Sequence, residues 1–351
     1  KFGGASVKDA QGIQNMFRVL QQTGHQNTLI VVSAMGKTTN ALEKLIQVYF
    51  EQPEQLDAQL NDIIDKHLQI MNGIFDNQNH PVYADVKARF DRLDMFLKNN
   101  KSPHYSFVYD QVVSTGELVS TTIITHYLNT QGIEANWLDA RNCIQTDASY
   151  RDANVDWERT ENAIQKQVAP NKLYITQGFI GSDDNNFTTT LGREGSDYSA
   201  AIFAYCLNGN SVTIWKDVPG VLNADPRYFS TTKLLNHISY QEAIELAFYG
   251  ASVIHPKTMQ PLQRKEIPLY VKSFINPRDA GTKVSKGVPI DPEIPCFIVK
   301  KDLALIRLSS LDFSFIIEKN ISDIFSLLDK HKMKVDLIQN SAISFSVCVY
   351  D

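Results

Sequence analysis

The sequence predicts an α/β protein in which a mostly parallel sheet carries helices on both faces. Short β-branched apolar runs such as Leu29-Ile-Val-Val32 alternate along the chain with longer segments whose apolar residues recur at helical spacing. Charged residues and glycines gather where several of these runs give way to loops, and open α/β sheets bind ligands at the carboxyl ends of their strands. With 351 residues and a hydrophobic fraction of 43%, the chain can build one large or two ordinary well-buried domains.

The first part of the chain is predicted to open in a strand and to continue mainly as helices. Lys1 ends an apparent first strand, residues 27–33 predict a buried parallel strand, and residues 33–40 predict a polar loop that is a candidate ligand contact. Residues 41–106 are rich in Asn, Gln, Asp and Lys and show helical apolar spacing, so we expect a helical excursion over one side of the sheet. Residues 109–129 predict a further helix with Glu117 one turn inside it, where an exposed carboxylate is the simplest interpretation.

The middle of the chain alternates between predicted strands and helices. Strands are expected at residues 135–139, 173–177, 211–216 and 269–273, and helices at residues 155–167, 197–207 and 240–249, with a bend at residues 250–256. Ser196 or Asp197 is the expected N-cap of the helix over residues 197–207.

A second, smaller unit is predicted at the end of the chain. Glycine and prolines crowd residues 286–296, which is typical of a domain boundary. Beyond it, a strand at 303–308, a helix at 321–331 and strands at 335–339 and 343–350 give the order β-α-β-β, the first part of a ferredoxin-like unit. We therefore expect one domain over residues 1–292 and a partial second domain over 300–351. Because the chain opens inside a strand and stops directly after one, we expect it to be part of a longer polypeptide.

Composition excludes several classes of partner. A net charge of −5 and a sequence pI near 5.9 argue against nucleic acid or an anionic membrane surface, because the summed field attracts neither. The cysteines lie far apart in the sequence, which argues against a disulfide framework or a metal site and fits a reducing compartment. Neither a stretch of ~20 apolar residues nor an N-terminal leader pattern occurs, so we expect a cytoplasmic location.

Residues 188–204 predict an anion site. Here Gly192 and Gly195 join a strand to a helix, so the unpaired N–H groups and the positive dipole end of the helix face the glycine turn, beside Arg193. A capped turn next to a surface arginine is the simpler alternative.

Two further segments could contribute to such a site. The opening Lys1-Phe-Gly-Gly-Ala-Ser-Val7 pairs glycines with a lysine, and although it lacks the Walker A spacing, its N–H groups suit phosphate oxygens. Residues 212–227 form a β-rich run that ends in Lys216 and Asp217, followed by turns at Pro219-Gly220 and Asp225-Pro226-Arg227. Ordinary turn chemistry and a solvated loop are the respective alternatives.

Taken together, these segments resemble the aspartokinases of the amino-acid kinase family. The opening is similar to the family's Lys-Phe-Gly-Gly-Thr-Ser-Val, and residues 189–200 are similar to its Thr-Thr-Leu-Gly-Arg-Gly-Gly-Ser-Asp signature. Further blocks match in order at residues 32–40, 114–120, 176–181, 215–220, 225–227 and 250–256, so the resemblance covers nearly the whole chain. It implies the amino-acid kinase fold, followed by a partial regulatory domain of the ferredoxin-like ACT type.

The resemblance implies transfer of the γ-phosphoryl group of ATP to the side-chain carboxylate of L-aspartate, giving 4-phospho-L-aspartate, the first step of lysine, threonine and methionine biosynthesis. Lys1 is then assigned to the phosphates and the transition state, with Gly3, Gly4 and Ser6 cradling the phosphates. Asp197 either caps its helix or orients Lys1 or a magnesium-bound water. Mg²⁺ is expected as the ATP complex, with no dedicated protein ligands.

The same residue-by-residue match implies the substrate, nucleotide and effector contacts. Arg193 is expected to clamp the α-carboxylate of aspartate, and Glu117 to hold its ammonium group. The remaining positions are Ser33, Thr39, Phe179 and Ser196 for the substrate, Lys216, Asp217 and Arg227 for the nucleotide, and Asp336 with residues 309–312 for the effector. That effector is expected to be lysine or threonine, and the chain is expected to dimerise through its C-terminal domain.

Departures from the family pattern leave some contacts open. Ala5 replaces a usual threonine, Glu194 a usual glycine, Leu222 a frequent tyrosine, and Ser252 a lysine that contacts nucleotide in some relatives. Lys216 or Lys257 is the candidate to compensate for Ser252. His255 is interpreted as a structural turn residue, because a carboxylate nucleophile needs no base.

Two alternative functions remain at this level. The first is a kinase of the same fold that acts on glutamate, acetylglutamate or a nucleoside monophosphate. Glu117 paired with Arg193 favours a free amino acid, because an N-acylated substrate has no ammonium group. The second is a catalytically silent amino-acid sensor, which the Ala5 and Ser252 departures allow.

Overall fold

The computed structural model describes residues 1–250, 254–287, 289–310 and 314–350. Within these ranges the helices are α1 (Ala10–Thr23), α2 (Thr38–Glu51), α3 (Leu56–Asn72), α4 (Pro81–Asn99), α5 (Tyr105–Thr130), α6 (Trp157–Gln167), α7 (Gly195–Cys206), α8 (Tyr240–Phe248), α9 (Pro256–Arg264) and α10 (Glu318–Lys330). The strands are β1 (Thr28–Val32), β2 (Ala135–Leu138), β3 (Leu173–Gln177), β4 (Ile180–Ser182), β5 (Thr188–Thr190), β6 (Val212–Lys216), β7 (His237–Ser239), β8 (Leu269–Ser273), β9 (Thr282–Ser285), β10 (Leu303–Ser309), β11 (Val335–Asn340) and β12 (Ser344–Tyr350).

The opening residues of the chain join two groups of strands into one central sheet. Phe2 forms parallel bridges with Val32 at the end of β1 and with Trp215 in β6. The sheet therefore runs β2-β3-β1, then Phe2, then β6-β8-β9-β7. The pairings are parallel except for the antiparallel pair β8–β9. The predicted mostly parallel sheet is confirmed.

Alternating side chains of the central strands pack on opposite sides of the sheet. Ile30 and Val32 of β1 belong to an apolar cluster with residues of α1, α2, α4 and α5. Val31, which lies between them, belongs to a second cluster with residues of α7 and α9. This alternation follows from the two-residue period of a strand, and it confirms the prediction of helices on both faces.

The predicted helical excursion is present as α2, α3 and α4. Its buried side chains recur at helical spacing, as in Val82, Val86, Phe90, Leu93 and Leu97 of α4. The helix predicted over residues 109–129 begins earlier, at Tyr105, and is buried along most of its length. The strand predicted before the Gly192 turn is present as β5. Its pairing with β4 in a hairpin, the short strands β7 and β9, and the helices α1 and α9 were not predicted.

The C-terminal residues form a separate three-stranded antiparallel sheet in the order β10-β12-β11, with α10 packed on one face. Phe345, Val347 and Val349 alternate along β12 and share an apolar cluster with Leu328 of α10. This cluster has no member in common with those of the central sheet. The predicted β-α-β-β order is present, whereas the domain limits 1–292 and 300–351 and the ACT assignment stay predictions.

Some predicted features fall outside the described residues, namely part of the 250–256 bend and most of residues 309–312. Among the helices that are described, none combines the length and the apolar character that a membrane crossing requires.

Candidate active site

Two lysines converge on one buried carboxylate where the central strands end. The backbone of Lys1 lies in the sheet, because its nitrogen donates to Thr213 O at 2.7 Å and its carbonyl accepts from Trp215 N at 3.0 Å. Lys1 Nζ lies 2.6 Å from Asp197 Oδ1, and Lys216 Nζ lies 3.5 Å from Asp197 Oδ2. Burial alone would raise the pKa of Asp197, but Lys1 and Lys216 together hold it below its ordinary value. The carboxylate is therefore ionised and fixes both cations.

The start of α7 corrects the predicted helix cap. The helix begins at Gly195, and its N-cap is Glu194 in the left-handed conformation at φ 55°, with no side-chain hydrogen bond. Neither Ser196 nor Asp197 is the cap, because both lie inside the first turn. Asp197 N instead bonds to Glu194 O at 3.0 Å, which leaves the Asp197 carboxylate available to Lys1. The sequence could not show that the turn closes one residue early, at a position where a glycine is usual in the resembling family.

The Gly3–Gly4 bend packs backbone to backbone against the loop after β1. A Cβ on Gly4 would lie 2.7 Å from Ala34 O and 2.9 Å from Gly36 O, so only glycine fits there. Gly36 N donates to Gly4 O at 3.0 Å and closes the contact. Ser6, predicted to face the phosphates, is buried within the short 3₁₀ turn that follows the bend.

Glu117 is a buried carboxylate rather than the exposed one that the sequence suggested. It is 2% exposed, and its Oε1 accepts from Ala34 N at 3.3 Å. Its Oε2 has no hydrogen-bond partner among the described residues. Burial raises the pKa of Glu117 to about 8, while the Ala34 bond and the charge of Lys1 act in the opposite direction. The carboxyl group thus lies within electrostatic range of Lys1 and has one oxygen unused.

A tight turn after β3 brings Phe179 and Ser196 together. A Cβ on Gly178 would lie 2.5 Å from Ser196 Cβ, so the chain at this turn touches the first turn of α7 directly. Phe179 adopts φ 72°, and its N–H donates to Ser199 Oγ at 2.9 Å. Its carbonyl accepts from Leu191 N at 2.9 Å. The turn after β3 and the first turn of α7, which were each predicted to contact the substrate, therefore lie side by side and form one wall of the candidate site.

Ser33 and Thr39 lie at the ends of the loop after β1. Ser33 N donates to Phe2 O at 3.2 Å, and Ser33 O accepts from Ser120 Oγ at 2.8 Å. Both Ser33 and Thr39 are half-buried, and Thr39 is the second residue of α2. Ser33 directly precedes Ala34, whose N–H donates to the buried Glu117 carboxylate.

Arg193 is exposed in the turn before α7, a few residues from Asp197. Nearby, His255 caps α9, since its Nδ1 accepts from Lys257 N at 3.2 Å, which agrees with the structural role expected for it. Burial lowers the pKa of His255, and the positive charge of Arg193 lowers it further. Arg193 therefore lies within electrostatic range of the start of α9.

The other residues predicted for the nucleotide lie on exposed loops. Asp217 directly follows β6, and Arg227 forms an ion pair with Asp225 at 2.6 Å. Among the described residues, neither has a contact with the Lys1–Asp197 pair. Ser252 lies outside the described residues. Lys257, one candidate to compensate for it, forms an ion pair with Asp152.

The predicted effector residue Asp336 is already engaged within the C-terminal unit. Lys300 forms an ion pair with it, and Tyr350 donates its hydroxyl to Asp336 Oδ1 at 3.3 Å. An effector's ammonium group would have to share or replace the Lys300 contact.

Sequence reasoning missed one carboxylate that shapes the site. Asp110 of α5 is fully buried and accepts from Arg151 N at 3.1 Å, from Thr190 N at 2.8 Å and from Thr190 Oγ1 at 2.8 Å. Burial raises the pKa of Asp110 to about 6. These bonds fix the end of β5, from which the Arg193 turn begins. An aspartate beside the apolar residues Val112 and Val113 of a predicted helix was the available signal.

Comparisons with known proteins agree with this architecture. A model of the amino acid kinase family matches residues 1–273. The lysine-sensitive aspartokinase 3 of Escherichia coli is 32% identical over 99% of this chain and 77% of its own length. The chloroplastic bifunctional aspartokinase/homoserine dehydrogenase 2 of Arabidopsis thaliana is 30% identical over 99% of this chain, which spans 39% of that longer relative.

Solved structures give the same result. Escherichia coli aspartokinase III in complex with aspartate and ADP superposes with a TM-score of 0.83 at 30% identity, covering 100% of this chain and 78% of that one. The aspartate kinase of Clostridium acetobutylicum superposes with a TM-score of 0.84 at 25% identity, again over 100% of this chain and 78% of the other. This chain therefore belongs to the amino acid kinase family and, within it, to the aspartokinases.

Proposed function

We propose that this chain transfers the γ-phosphoryl group of ATP to the side-chain carboxylate of L-aspartate, forming 4-phospho-L-aspartate. The observation that carries the proposal is the buried carboxyl group of Glu117 near Lys1. Glu117 is buried, has one unpartnered oxygen and lies within electrostatic range of Lys1. When Glu117 is ionised, the buried carboxylate is stabilised by a nearby cation, and the ammonium group of a free amino acid supplies one.

The proposed chemistry needs no general base. The side-chain carboxylate of aspartate is already ionised at neutral pH, because its pKa is near ~3.9. The barrier lies in bringing two anions together and in stabilising the charge that spreads over the phosphoryl oxygens. Lys1 is the cation for that charge, and Asp197 acts as a positioning residue, since it holds Lys1 Nζ at 2.6 Å.

The remaining contacts follow from where the residues lie. The N–H groups of Gly3 and Gly4 and the hydroxyl of Ser6 are proposed to cradle the phosphates beside Lys1. Asp217 and Arg227, on the loops after β6, are proposed to contact the nucleotide together with Lys216. Because Arg227 forms an ion pair with Asp225, its guanidinium group would contact Asp225 and the nucleotide at the same time.

On the amino-acid side, Arg193 is proposed to bind the α-carboxylate of aspartate, since it is exposed in the turn before α7 and its planar fork suits a carboxylate. Ser33, Thr39, Ser196 and Phe179 are proposed to complete the aspartate pocket, because they line the loop after β1 and the wall beside α7.

Mg²⁺ is proposed to enter with ATP. In the described part of the chain, no group of three or more His, Cys, Asp or Glu side chains could hold a metal ion. Asp197 already contacts two lysines, which leaves it a poor ligand for a dedicated site. Bound to the phosphate oxygens, Mg²⁺ would offset their negative charge.

The C-terminal unit is proposed to act as a partial ACT-type regulatory domain. Its β-α-β-β order supports this, and Asp336 offers a carboxylate to the ammonium group of a lysine or threonine effector. One solved relative, Escherichia coli aspartokinase III, is described in complex with lysine and aspartate.

The activity is tested by trapping the acyl phosphate with hydroxylamine. Purified protein with ATP and Mg²⁺ should form hydroxamate with L-aspartate but not with glutamate or acetylglutamate, and it should release no ADP with a nucleoside monophosphate, whose phosphorylation forms no acyl phosphate. Product from another substrate would move the proposal to that kinase. Binding of Mg²⁺-ATP without turnover of any of them would indicate the silent amino-acid sensor.

Arg193→Ala tests the substrate assignment. Loss of a charged hydrogen-bond partner should raise the KM for aspartate by ~10-fold to 100-fold and leave the KM for ATP nearly unchanged. Arg18→Ala is the matched control, because Arg18 is an exposed arginine of α1 far from the turn. A KM for aspartate that is the same in both variants would remove Arg193 from the site.

A further inference from the structure

A surface cavity of about 280 Å³ lies between α4, α5 and β2, and none of its lining residues is assigned to the kinase reaction. Its wall includes Arg89 and Arg92 of α4, Thr122 and His126 of α5, and Trp137 of β2. Pockets for small ligands begin at ~300 Å³, so this cavity is large enough for a small metabolite only.

Arg89 is held in one orientation at the base of the cavity. Its Nε donates to Thr122 Oγ1 at 2.6 Å, and its guanidinium carbon lies 4.5 Å from the centre of the Trp137 ring. The Thr122 hydroxyl in turn donates to Leu118 O at 2.7 Å. Within the described residues, the two terminal nitrogens of Arg89 have no hydrogen-bond partner. The guanidinium group of Arg89 is therefore fixed in place, and no described residue accepts a hydrogen bond from its two terminal nitrogens.

The charges around the cavity are unbalanced. Of the nearby acids, Asp139 forms an ion pair with Arg141 at 2.7 Å, and Asp85, which lines the cavity, lies 2.8 Å from His126 Nε2, so two arginines face one lining carboxylate. Across the described ranges of the chain, neither Arg89 nor Arg92 takes part in an ion pair. Burial lowers the pKa of Arg89 to about 10, so its guanidinium stays charged at neutral pH. Asp139 and Asp85 attract Arg89 without forming an ion pair with it, so a bound anion would further offset the cost of this partly buried cation.

We propose that this cavity is a binding site for a small organic anion, recognised through a carboxylate or phosphate group. The terminal nitrogens of Arg89 form a fork that matches two oxygens of either group, and Arg92 supplies a second positive charge at the rim. A cationic ligand is excluded by the two guanidinium groups. A neutral aromatic ligand is disfavoured because Arg89 already covers the face of Trp137.

Two substitutions distinguish the contribution of the planar guanidinium group to anion binding from the contribution of positive charge. Arg89→Lys keeps the positive charge but removes the planar fork, and Arg92→Gln removes the second charge at an exposed position where folding should be unaffected. Arg18→Gln is the matched control on α1. Titration calorimetry of these proteins and the wild type with inorganic phosphate, and separately with citrate, measures the affinities. Anion binding elsewhere in the molecule is common to all four proteins and cancels in the comparison.

We expect each pocket variant to bind the preferred anion ~10-fold to 100-fold more weakly than the wild type, because each loses contacts to a charged group. The Arg18→Gln protein should bind like the wild type. Loss of phosphate affinity alone identifies a phosphate ligand, and loss of citrate affinity alone identifies a carboxylate ligand. Equal affinities in all four proteins, or no binding of either probe, would overturn the proposal.

A spectroscopic readout keeps the test decisive if Arg89→Lys is unstable. In protein labelled with ¹⁵N-arginine, the Nε–H resonance of Arg89 is identified as the one that is missing from the spectrum of Arg89→Lys. If that variant does not fold, it is identified as the resonance that is perturbed in Thr122→Val. Addition of the bound probe should shift that resonance in the wild type and shift it less in Arg92→Gln. A resonance that does not move while the probe binds would place the anion elsewhere and contradict the proposal.

Discussion

Glu117 is a carboxyl group of α5 that the fold buries, and this burial affects both stability and the proposed binding of aspartate. Burial raises the pKa of Glu117 from its ordinary 4.5 to about 8. An acid whose pKa is raised by folding destabilises the native state as the pH rises, because the unfolded chain ionises first. The loss begins near pH 4.5, grows up to about pH 8 and then stays constant. Glu117 therefore stabilises the fold least at the pH where it binds a cation best.

Replacing Glu117 by glutamine should stabilise the protein and weaken the binding of aspartate. We expect the melting temperature of Glu117→Gln to match that of the wild type near pH 5 and to exceed it by a few degrees at pH 9. The measurement is thermal unfolding by circular dichroism across this pH range. A gap that stays constant with pH would show that Glu117 titrates like a carboxyl group in water.

The same titration predicts how the wild type binds its substrate. Only the ionised form of Glu117 attracts an ammonium group, so the KM for aspartate should fall as the pH rises from 6.5 to 8.5. In Glu117→Gln, the KM should be higher and should lose this dependence. Steady-state kinetics at saturating ATP provides the test, and an identical pH profile in both proteins would contradict it.

At the scale of the elements, the turn after β3 and the first turn of α7 work as one unit. A Cβ at position 178 would approach Ser196 Cα to 2.7 Å, which neither backbone can avoid without moving. Gly178→Ala should therefore cost about 1–3 kcal/mol of stability and reduce kcat/KM for aspartate, because Phe179 and Ser196 move apart. Gly209→Ala is the control, since a Cβ there meets its neighbours at an ordinary 3.4 Å. If both variants melt and turn over alike, the two segments do not form a shared wall.

The elements differ in how far the sequence alone predicts them. β1, β3 and β6 are β-branched or apolar runs that pair in the centre of a sheet, so their pattern is strong. β4, β5, β7 and β9 have three or four residues each, too few to establish a period, and their partners fix them. α9 begins at one proline and contains another, which hides it. α1 was predictable from the spacing of Ile13, Met16 and Leu20.

The sequence allowed individual candidate site residues to be named, but it did not predict how they are arranged in space. Lys1, Glu117 and Asp197 each stand in a motif that the sequence shows. That Glu117 is buried against Ala34, and that Asp197 turns away from the helix end toward Lys1, follow from contacts more than 80 positions apart in the sequence. Such contacts depend on how the sheet assembles, which local patterns do not encode.

At the scale of the whole molecule, the small C-terminal sheet exposes an apolar row on its outer face. Leu305 of β10 and Leu337 of β11 both pair with Cys348 of β12, so the three side chains lie side by side across the strands. Leu305 is 69% exposed and Leu337 is 51% exposed. The opposite face is covered by α10. An uncovered apolar row of this kind is typical of a surface that pairs with another chain, and we expect a second copy to cover it.

Leu337→Lys should convert the expected dimer into a monomer. A charge within the row would have to be buried without a partner, a cost that exceeds what one small apolar interface gains. The measurement is sedimentation equilibrium at micromolar protein concentration. Met95→Lys is the matched control, because Met95 is a 63% exposed apolar residue on α4, outside the row. A wild type that sediments as a monomer, or a Leu337→Lys protein that stays dimeric, would show that this face is not the interface. Since the row shares no residue with the Lys1 site, the monomer should still melt as a folded protein.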